Sequence, residues 1–254
     1  MIKSLKHKIK KRQALENLVE ITFYIPCCNE EKNIIPTLEK LVKTVKQIGI
    51  SFEILIYNDG STDKTESKIK KYQKEHPEFI INLVNNKKRM GLGFNYVDGV
   101  FIGLGKYYMM ICGDNSETEE SIEKVLNKRG TADIIIPYFG NRDSRKFLRR
   151  ILSKIFTKIV NLINGYNIRY YNGIVLHLRQ NVMRWHPASS GFAYQAELLS
   201  ILLDQHKTYI QVKIGNNDRK SGISKAFNLQ NYLSISHSLL QILFRRIRRT
   251  LWSH

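Results

Sequence analysis

Phe52-Glu53-Ile54-Leu55-Ile56-Tyr57-Asn58-Asp59-Gly60-Ser61-Thr62-Asp63 is an apolar run that stops abruptly in turn-forming polar residues. Phe52 to Tyr57 reads as a buried strand, and Asn58 to Asp63 as a loop in which Thr62 or Asp63 can cap the next helix. Upstream, Ile21 to Ile25 is a shorter strand halted by Pro26. Between the two, Ile34, Ile35, Leu38, Leu41, Val42, Val45 and Ile48 recur at helical spacing, and Gly49 ends the helix. The alternation repeats downstream. A third strand is expected near Phe79 to Val84, then a glycine-punctuated helix from about Gly91 to Gly103. Tyr107 to Ile111 is a fourth strand ending at Cys112-Gly113-Asp114-Asn115, Glu117 to Lys128 a helix, and Ala132 to Ile136 a fifth strand. Strands alternating with helices predict an α/β fold with a mostly parallel sheet covered on both faces. Ligands on such sheets sit at the carboxyl ends of the strands, here Pro26–Glu30, Tyr57–Asp63 and Cys112–Asn115.

Composition bounds the function. The chain has 254 residues, 43% hydrophobic and 25% charged, which excludes disorder, collagen and coiled coil as whole-chain descriptions. Forty-one Lys and Arg against 22 acids give +19, a charge suited to a polyanionic partner. The three cysteines, Cys27, Cys28 and Cys112, are odd in number and partly adjacent, which argues for a reducing compartment over a disulfide framework. The basic N-terminus (Lys3, Lys6, Lys8, Lys10, Lys11, Arg12) lacks the apolar run of a signal peptide. Ala226 to Phe244 carries no Asp, Glu, Lys or Arg, but eight of its 19 residues are polar, so it is read as non-spanning.

Two amphipathic stretches stand out. Phe147, Leu148, Ile151, Leu152, Ile155, Phe156, Ile159 and Ile163 form a stripe bordered by Arg145, Lys146, Arg149, Arg150, Lys154 and Lys158. Tyr232, Leu233, Leu239, Leu240, Leu243 and Ile247 repeat the pattern beside Arg245, Arg246, Arg248, Arg249 and Trp252. Apolar stripes are usually core, but two of them bordered by Arg and Lys in so basic a chain point to an anionic membrane surface. No RRM, zinc-finger or helix-turn-helix signature accompanies the charge, so nucleic acid is not an expected partner.

Asp59 and Asp114 are strand-end carboxylates, costly to place there unless they bind something. Asp59 could accept hydrogen bonds from a base or ribose. Asp114 could hold a divalent cation bridging a diphosphate. The competing reading is turn-making, since Asp-Gly and Gly-Asp-Asn are turn sequences. Lys87, Lys88 and Arg89 precede the glycine-rich helix, where they could meet phosphate or form a solvated loop. Gly91-Leu92-Gly93 is too short for a dinucleotide fingerprint. His177 and His186 read as ordinary surface or packed residues.

Taken in order, Ile25-Pro26-Cys27-Cys28-Asn29-Glu30, Tyr57-Asn58-Asp59-Gly60-Ser61-Thr62-Asp63, Gly91 to Gly99, Gly113-Asp114-Asn115, Asn172-Gly173 and Asn217-Asp218-Arg219-Lys220-Ser221-Gly222-Ile223-Ser224-Lys225 are far more specific than any one of them. Over about residues 21–235 the chain resembles family 2 glycosyltransferases, in the branch that contains dolichol-phosphate mannose synthase and related polyprenyl-phosphate sugar transferases. The resemblance implies a GT-A (Rossmann-like) fold, a mostly parallel sheet flanked by helices, with the basic amphipathic helices facing a membrane. It implies a basic arm over 1–20 and a glycosyltransferase domain over 21–225, with a nucleotide-binding half (about 21–138) and an acceptor half (about 139–225). An amphipathic basic C-terminal helix would occupy 226–254.

The resemblance also assigns residues. Pro26, Cys28 and Glu30 would line the nucleotide pocket with Gly113, and Tyr57 and Asp59 would contact base and ribose. Asp114 would hold Mg²⁺ or Mn²⁺. Asn172, Gly173, Arg219, Ser224 and Lys225 would approach donor or acceptor phosphates, with Asp114, Arg219 and Lys225 catalytic. Three positions depart from the family pattern: Cys112 replaces the first Asp of Asp-x-Asp, Ser116 stands where Gln is frequent, and Asn58 precedes Asp59 where Asp is common. Glu117 could substitute as a ligand, or a basic side chain could neutralise the diphosphate. The implied reaction moves a hexose, with inversion, from a UDP- or GDP-sugar to a polyprenyl phosphate at the cytoplasmic membrane face. The alternative is a saccharide acceptor in polysaccharide or glycolipid assembly. A departing nucleotide diphosphate needs its charge neutralised. A lipid phosphate is already anionic and needs no base, whereas a sugar hydroxyl needs an Asp or Glu. The post-sheet region offers Glu197 as an acid on a helix, and it reads as a structural helix residue.

Overall fold

The computed structural model describes residues 12–14, 16–140, 143, 145, 147–185, 191, 193–215 and 229–252, with 229–234 and 252 described by their backbone alone. Arg219, Ser224, Lys225, Lys146, His186 and the basic N-terminal lysines lie outside the described residues.

Seven strands form one sheet: β1 (Ile21–Cys27), β2 (Phe52–Asp59), β3 (Ile80–Asn86), β4 (Tyr107–Met110), β5 (Ile134–Phe139), β6 (Leu176–Leu178) and β7 (Tyr209–Ile214). The helices are α1 (Ile34–Ile48), α2 (Thr65–Glu75), α3 (Leu92–Ile102), α4 (Glu119–Leu126), α5 (Phe147–Asn164), α6 (Arg179–Met183), α7 (Tyr194–Asp204) and α8 (Leu229–Trp252). The strand order is β3-β2-β1-β4-β6-β5-β7, and only β6 runs against its neighbours. The expected mostly parallel sheet with helices is what the chain adopts.

Period-2 alternation divides the core. Ile21, Phe23 and Ile25 of β1 and Ile54 and Ile56 of β2 pack with Leu38, Leu41 and Val45 of α1 and Ile122 and Val125 of α4. Tyr24, Leu55, Tyr57, Tyr108 and Met110 enter the opposite layer with Tyr96 of α3, Trp185, and Tyr194 and Leu198 of α7.

The structure departs from the expected elements in several places. Pro26 does not halt β1, which runs on to Cys27 with Pro26 and Cys27 in register with Tyr57 and Asn58 of β2, and β5 runs past Ile136 to Phe139. β2 runs through Asn58 and Asp59, because these pair in register with Asn85 and Asn86 of β3 and Asn58 Nδ2 donates to Asn85 Oδ1 at 2.9 Å. α4 starts at Glu119, two residues late, because Thr118 caps it: Thr118 Oγ1 accepts from Ser121 N at 3.1 Å. β6 and β7 were not expected. The first has three residues, too few to show a period, and the second is a partly exposed edge strand. They pin the second half of the chain to β4, so one sheet spans residues 21–214.

His177 lies in the middle of β6, opposite Tyr108 on one side and Ile134 on the other. It is 0% exposed and neither ring nitrogen has a hydrogen-bond partner. Burial lowers its pKa to about 3. The folded pKa is below the unfolded one, so the neutral form supports folding above pH ~6.5 and that support is lost as pH falls toward 3. The expected slope from this one group is at most about 1.4 kcal/mol per pH unit. His177→Leu should add about 1–3 kcal/mol at neutral pH, because the unsatisfied nitrogens are removed, and should flatten that part of the stability–pH curve, so that the gain grows as pH falls. Urea denaturation of both proteins at several pH values tests this, and parallel curves would exclude it.

Candidate active site at the strand ends

The loops after β1 and β2 are laced into one surface. Asn29, in the left-handed region at φ 57°, accepts from Thr62 N through its Oδ1 at 2.8 Å, and its own N–H donates to Ser61 Oγ at 2.9 Å. Glu30 N donates to Thr65 Oγ1 (2.9 Å), Glu31 N to Asp63 Oδ2 (3.1 Å), and Lys64 N to Glu31 Oε2 (3.1 Å). Asp63 Oδ1 also accepts from Thr65 N at 3.0 Å, so it satisfies an orphan donor at the start of α2 as expected. The Glu30 carboxylate is buried and accepts from Asn33 Nδ2 at 2.7 Å.

Asp59 is spent largely on the loop after β3. Its Oδ1 accepts from Asn86 Nδ2 and from Met90 N, both at 2.9 Å, and its Oδ2 from Gly91 N at 3.2 Å. Burial pushes the carboxyl pKa up, but the bonds from Met90, Asn86, Asn95 and Gly91 outweigh it and hold the acid below its ordinary value. The turn at Gly60 fits against the same loop: with φ at +69°, a Cβ there would stand 3.2 Å from Arg89 N. Asp59 and Gly60 therefore fix the position of the exposed Lys87, Lys88 and Arg89.

The end of β4 carries the third part. Gly113 N donates to Pro26 O at 3.2 Å, and a Cβ on Gly113 would stand 3.0 Å from both Pro26 O and Cys27 Cβ, so the β4 and β1 loops touch. Asp114 Oδ1 accepts from Ser116 N at 3.2 Å, and Asn115 takes φ 60°. Lys40 of α1 donates to Asn115 O (3.3 Å) and Glu117 O (2.7 Å), pinning the turn from outside. Cys112, Asp114 and Glu117 each bring one donor atom within 4.8 Å of the others. Burial, then the Asp114 charge, raises Glu117 to about 7, and burial, then Glu117 and Asp114, pushes the Cys112 thiol well up. Glu117 Oε2 is buried without a hydrogen-bond partner. Two acids and a thiol held this close, with an orphaned oxygen, fit a divalent cation that would bring the missing positive charge. Lys40 and, from α5, Arg149 supply positive charge at the edge of the cluster.

Pro26 and Asp59, at the ends of β1 and β2, and Cys28, Glu30, Gly113 and Asp114, on the loops that follow the strands, therefore lie together at the strand ends. Tyr57 does not join them. It is 1% exposed, its ring is 5.4 Å from Tyr24, and its hydroxyl donates to Asp98. It shares a face of β2 with Asp59 but lies one step back from the strand end, where it packs in the layer of Tyr24 and Tyr96. Asn172 is exposed beside Gly173, which is buried against Pro137. Glu197 is 3% exposed on α7, where its charge faces Arg245 of α8. Lys40 and Arg149 were missed in the sequence reading. Their roles come from tertiary contact, and no local pattern marks them.

In the second half of the chain, α5 and α8 pack together. Of the expected α5 stripe, Phe156 and Ile163 pack against the core, beside Val160, which is buried and lies outside that stripe. Phe147 is 69% and Leu162 85% exposed, and Leu240, Leu243, Phe244, Ile247 and Leu251 of α8 are also exposed. Among the described residues no helix is long and apolar enough to cross a membrane.

A family model described as glycosyl transferase family 2 matches residues 22–185. A dolichyl-phosphate beta-glucosyltransferase of Trichomonas vaginalis is 26% identical over 92% of this chain and 74% of its own length. An undecaprenyl-phosphate 4-deoxy-4-formamido-L-arabinose transferase of Photorhabdus laumondii is 22% identical over 91% and 70%. A dolichyl-phosphate beta-glucosyltransferase of Dictyostelium discoideum is 25% identical over 75% of this chain and 64% of its own. Among solved structures, glucosyl-3-phosphoglycerate synthase of Mycobacterium tuberculosis, crystallised with Mn²⁺, UDP and glucosyl-3-phosphoglycerate, superposes with a TM-score of 0.65 at 14% identity, covering 94% of this chain and 83% of that one. Sheet order, strand-end loops and the family match agree: the chain belongs to glycosyl transferase family 2 and is a glycosyltransferase.

Proposed function

We propose that the protein transfers a hexose from a UDP-sugar to a polyprenyl phosphate at the cytoplasmic surface of a membrane. The observation that carries the donor side is the Cys112, Asp114 and Glu117 cluster at the end of β4, in contact with the β1 loop through Gly113. The acceptor reading is supported by the relatives, two named for dolichyl phosphate and one for undecaprenyl phosphate. The exposed apolar faces of α5 and α8, bordered by Arg and Lys, suit the surface in which such a lipid resides.

The reaction needs little from the protein beyond placement and charge. An acceptor phosphate oxygen attacks the anomeric carbon, the bond from that carbon to the diphosphate oxygen breaks, and UDP leaves with the electron pair. No proton moves, so no base is required. Glu197, the helix acid the sequence offered as a base for a saccharide acceptor, is buried with its charge facing Arg245. Pro26, Cys28, Glu30 and Gly113 form the nucleotide side, and Asp59 positions the Lys87–Arg89 loop beside it. Asn172, Gly173, Arg219, Ser224 and Lys225 are assigned to phosphate contact on motif alone. A divalent cation, Mg²⁺ or Mn²⁺ by analogy with the solved neighbours, would neutralise the diphosphate when held by Asp114 with Glu117 and Cys112.

The test is transfer of radiolabel from UDP-glucose, with GDP-mannose in parallel, to dolichyl or undecaprenyl phosphate in anionic vesicles. Label is expected in the organic phase only when lipid phosphate is present. Label passing instead to soluble glycans would replace this acceptor with the saccharide one.

A further inference from the structure

We infer that Cys112 is itself a metal ligand and that it turns the site away from Mg²⁺ toward thiophilic divalent cations such as Co²⁺, Zn²⁺ and Cd²⁺. This rests on the cation at Asp114 proposed above and is independent of the acceptor. Cys112 continues the alternation of β4: Tyr108 and Met110 enter one core layer, and Cys112 packs at its edge. That places its sulfur on the side of the turn where the carboxylates of Asp114 and Glu117 converge, all three donor atoms lying within 4.8 Å of one another. Among the described residues no other group of three potential ligands comes together in this way. Glu117 also carries a buried oxygen, Oε2, that has no hydrogen-bond partner and so is a carboxylate atom the protein itself leaves unsatisfied.

The donor set is one sulfur and two carboxylates. Mg²⁺ requires near-ideal octahedral oxygen coordination and gains little from sulfur, whereas softer ions bind thiolate strongly. Binding is a simple exchange: the Cys112 S–H bond breaks, a sulfur–metal bond forms, and the proton passes to solvent. No oxidant or reductant takes part. A thiolate carries the negative charge that a carboxylate would, so the site keeps its charge while changing its selectivity.

The experiment is a Co²⁺ titration of the full chain, read by the sulfur-to-cobalt charge-transfer band in the near ultraviolet, with bound Co²⁺ and UDP measured on the same samples by calorimetry. The band should appear with one equivalent of Co²⁺, persist in Cys28→Ser and vanish in Cys112→Ser. In Cys112→Ser the preference for Cd²⁺ over Mg²⁺ should fall by about 10- to 100-fold or more, since even an outer-shell partner changes metal affinity on that scale. Cys112→Asp should restore Mg²⁺ binding and guards against a variant that merely misfolds. Bound Co²⁺ without a band, a band surviving in Cys112→Ser, or no Co²⁺ uptake would each overturn the inference. UDP binding reads the donor proposal separately: UDP bound without a band removes only the thiolate, and a band without UDP binding removes only the donor.

Discussion

Asp114→Ala should lower kcat by about 1000-fold or more while leaving a folded protein. A cation clamp on a departing diphosphate is worth several kcal/mol of transition-state stabilisation, and each 1.36 kcal/mol is tenfold in rate. The fold should survive because the turn has other supports. Asp114 Oδ1 accepts from Ser116 N there. Lys40 holds the carbonyls of Asn115 and Glu117, and Gly113 N is tied to Pro26 O. Losing the Ser116 bond costs about 0.5–1.5 kcal/mol. Asp114→Asn separates the two roles, since an amide oxygen keeps the turn bond but carries no charge. Transfer rates as low in Asn as in Ala, with near-native stability in Asn, are the expected pair of results. Near-native rates in Asp114→Asn would reduce the residue to a turn former and remove the metal site from the mechanism.

The parts of the fold that were legible in the sequence are those with a period to read. β1 through β5 and the helices between them follow apolar spacing, and their strand ends pointed to the loops that meet in the structure. β6 failed because three residues carry no period, although they join the two halves of the sheet. Tyr57 was misplaced for a different reason. Tyr57 and Asp59 share one face of β2, but Tyr57 lies one step deeper, covered by Tyr24 and Tyr96 with its hydroxyl on Asp98, and the motif does not show that depth. Glu117 was recognised as a possible ligand because it follows Asp114 closely in the chain. Lys40 and Arg149 were not, since each reaches the cluster from a helix far away in sequence. The amphipathic stripe of α5 was visible, but its division into a strip packed beside the buried Val160 and an exposed face from Phe147 to Leu162 depends on where α8 packs.

Asp59 offers the second large effect, because one carboxylate holds a whole loop. Asp59→Ala leaves Met90 N and Gly91 N without their acceptor and Asn86 Nδ2 with Asn95 Oδ1 alone, at a cost of about 1–3 kcal/mol in stability. Asp59→Asn is not a rescue, since its amide NH₂ would face a donor at Met90 N or Gly91 N. In both variants Lys87, Lys88 and Arg89 lose their fixed position, and UDP affinity is expected to fall by about 10- to 100-fold, the loss of one or two charge-assisted hydrogen bonds. The pH dependence follows from the sign of the shift. The folded pKa of Asp59 is below the ordinary 3.8, so its stabilisation is complete above pH ~4 and is lost as pH falls through the folded value. The stability gap between wild type and Asp59→Asn should therefore be constant from pH 5 to 8 (roughly one plateau) and close in stronger acid. Calorimetric UDP titration and urea denaturation over that range measure both quantities. Lost stability with an unchanged Kd for UDP would mean that Asp59 anchors the loop for the fold alone, and the basic loop would then have no part in holding the donor.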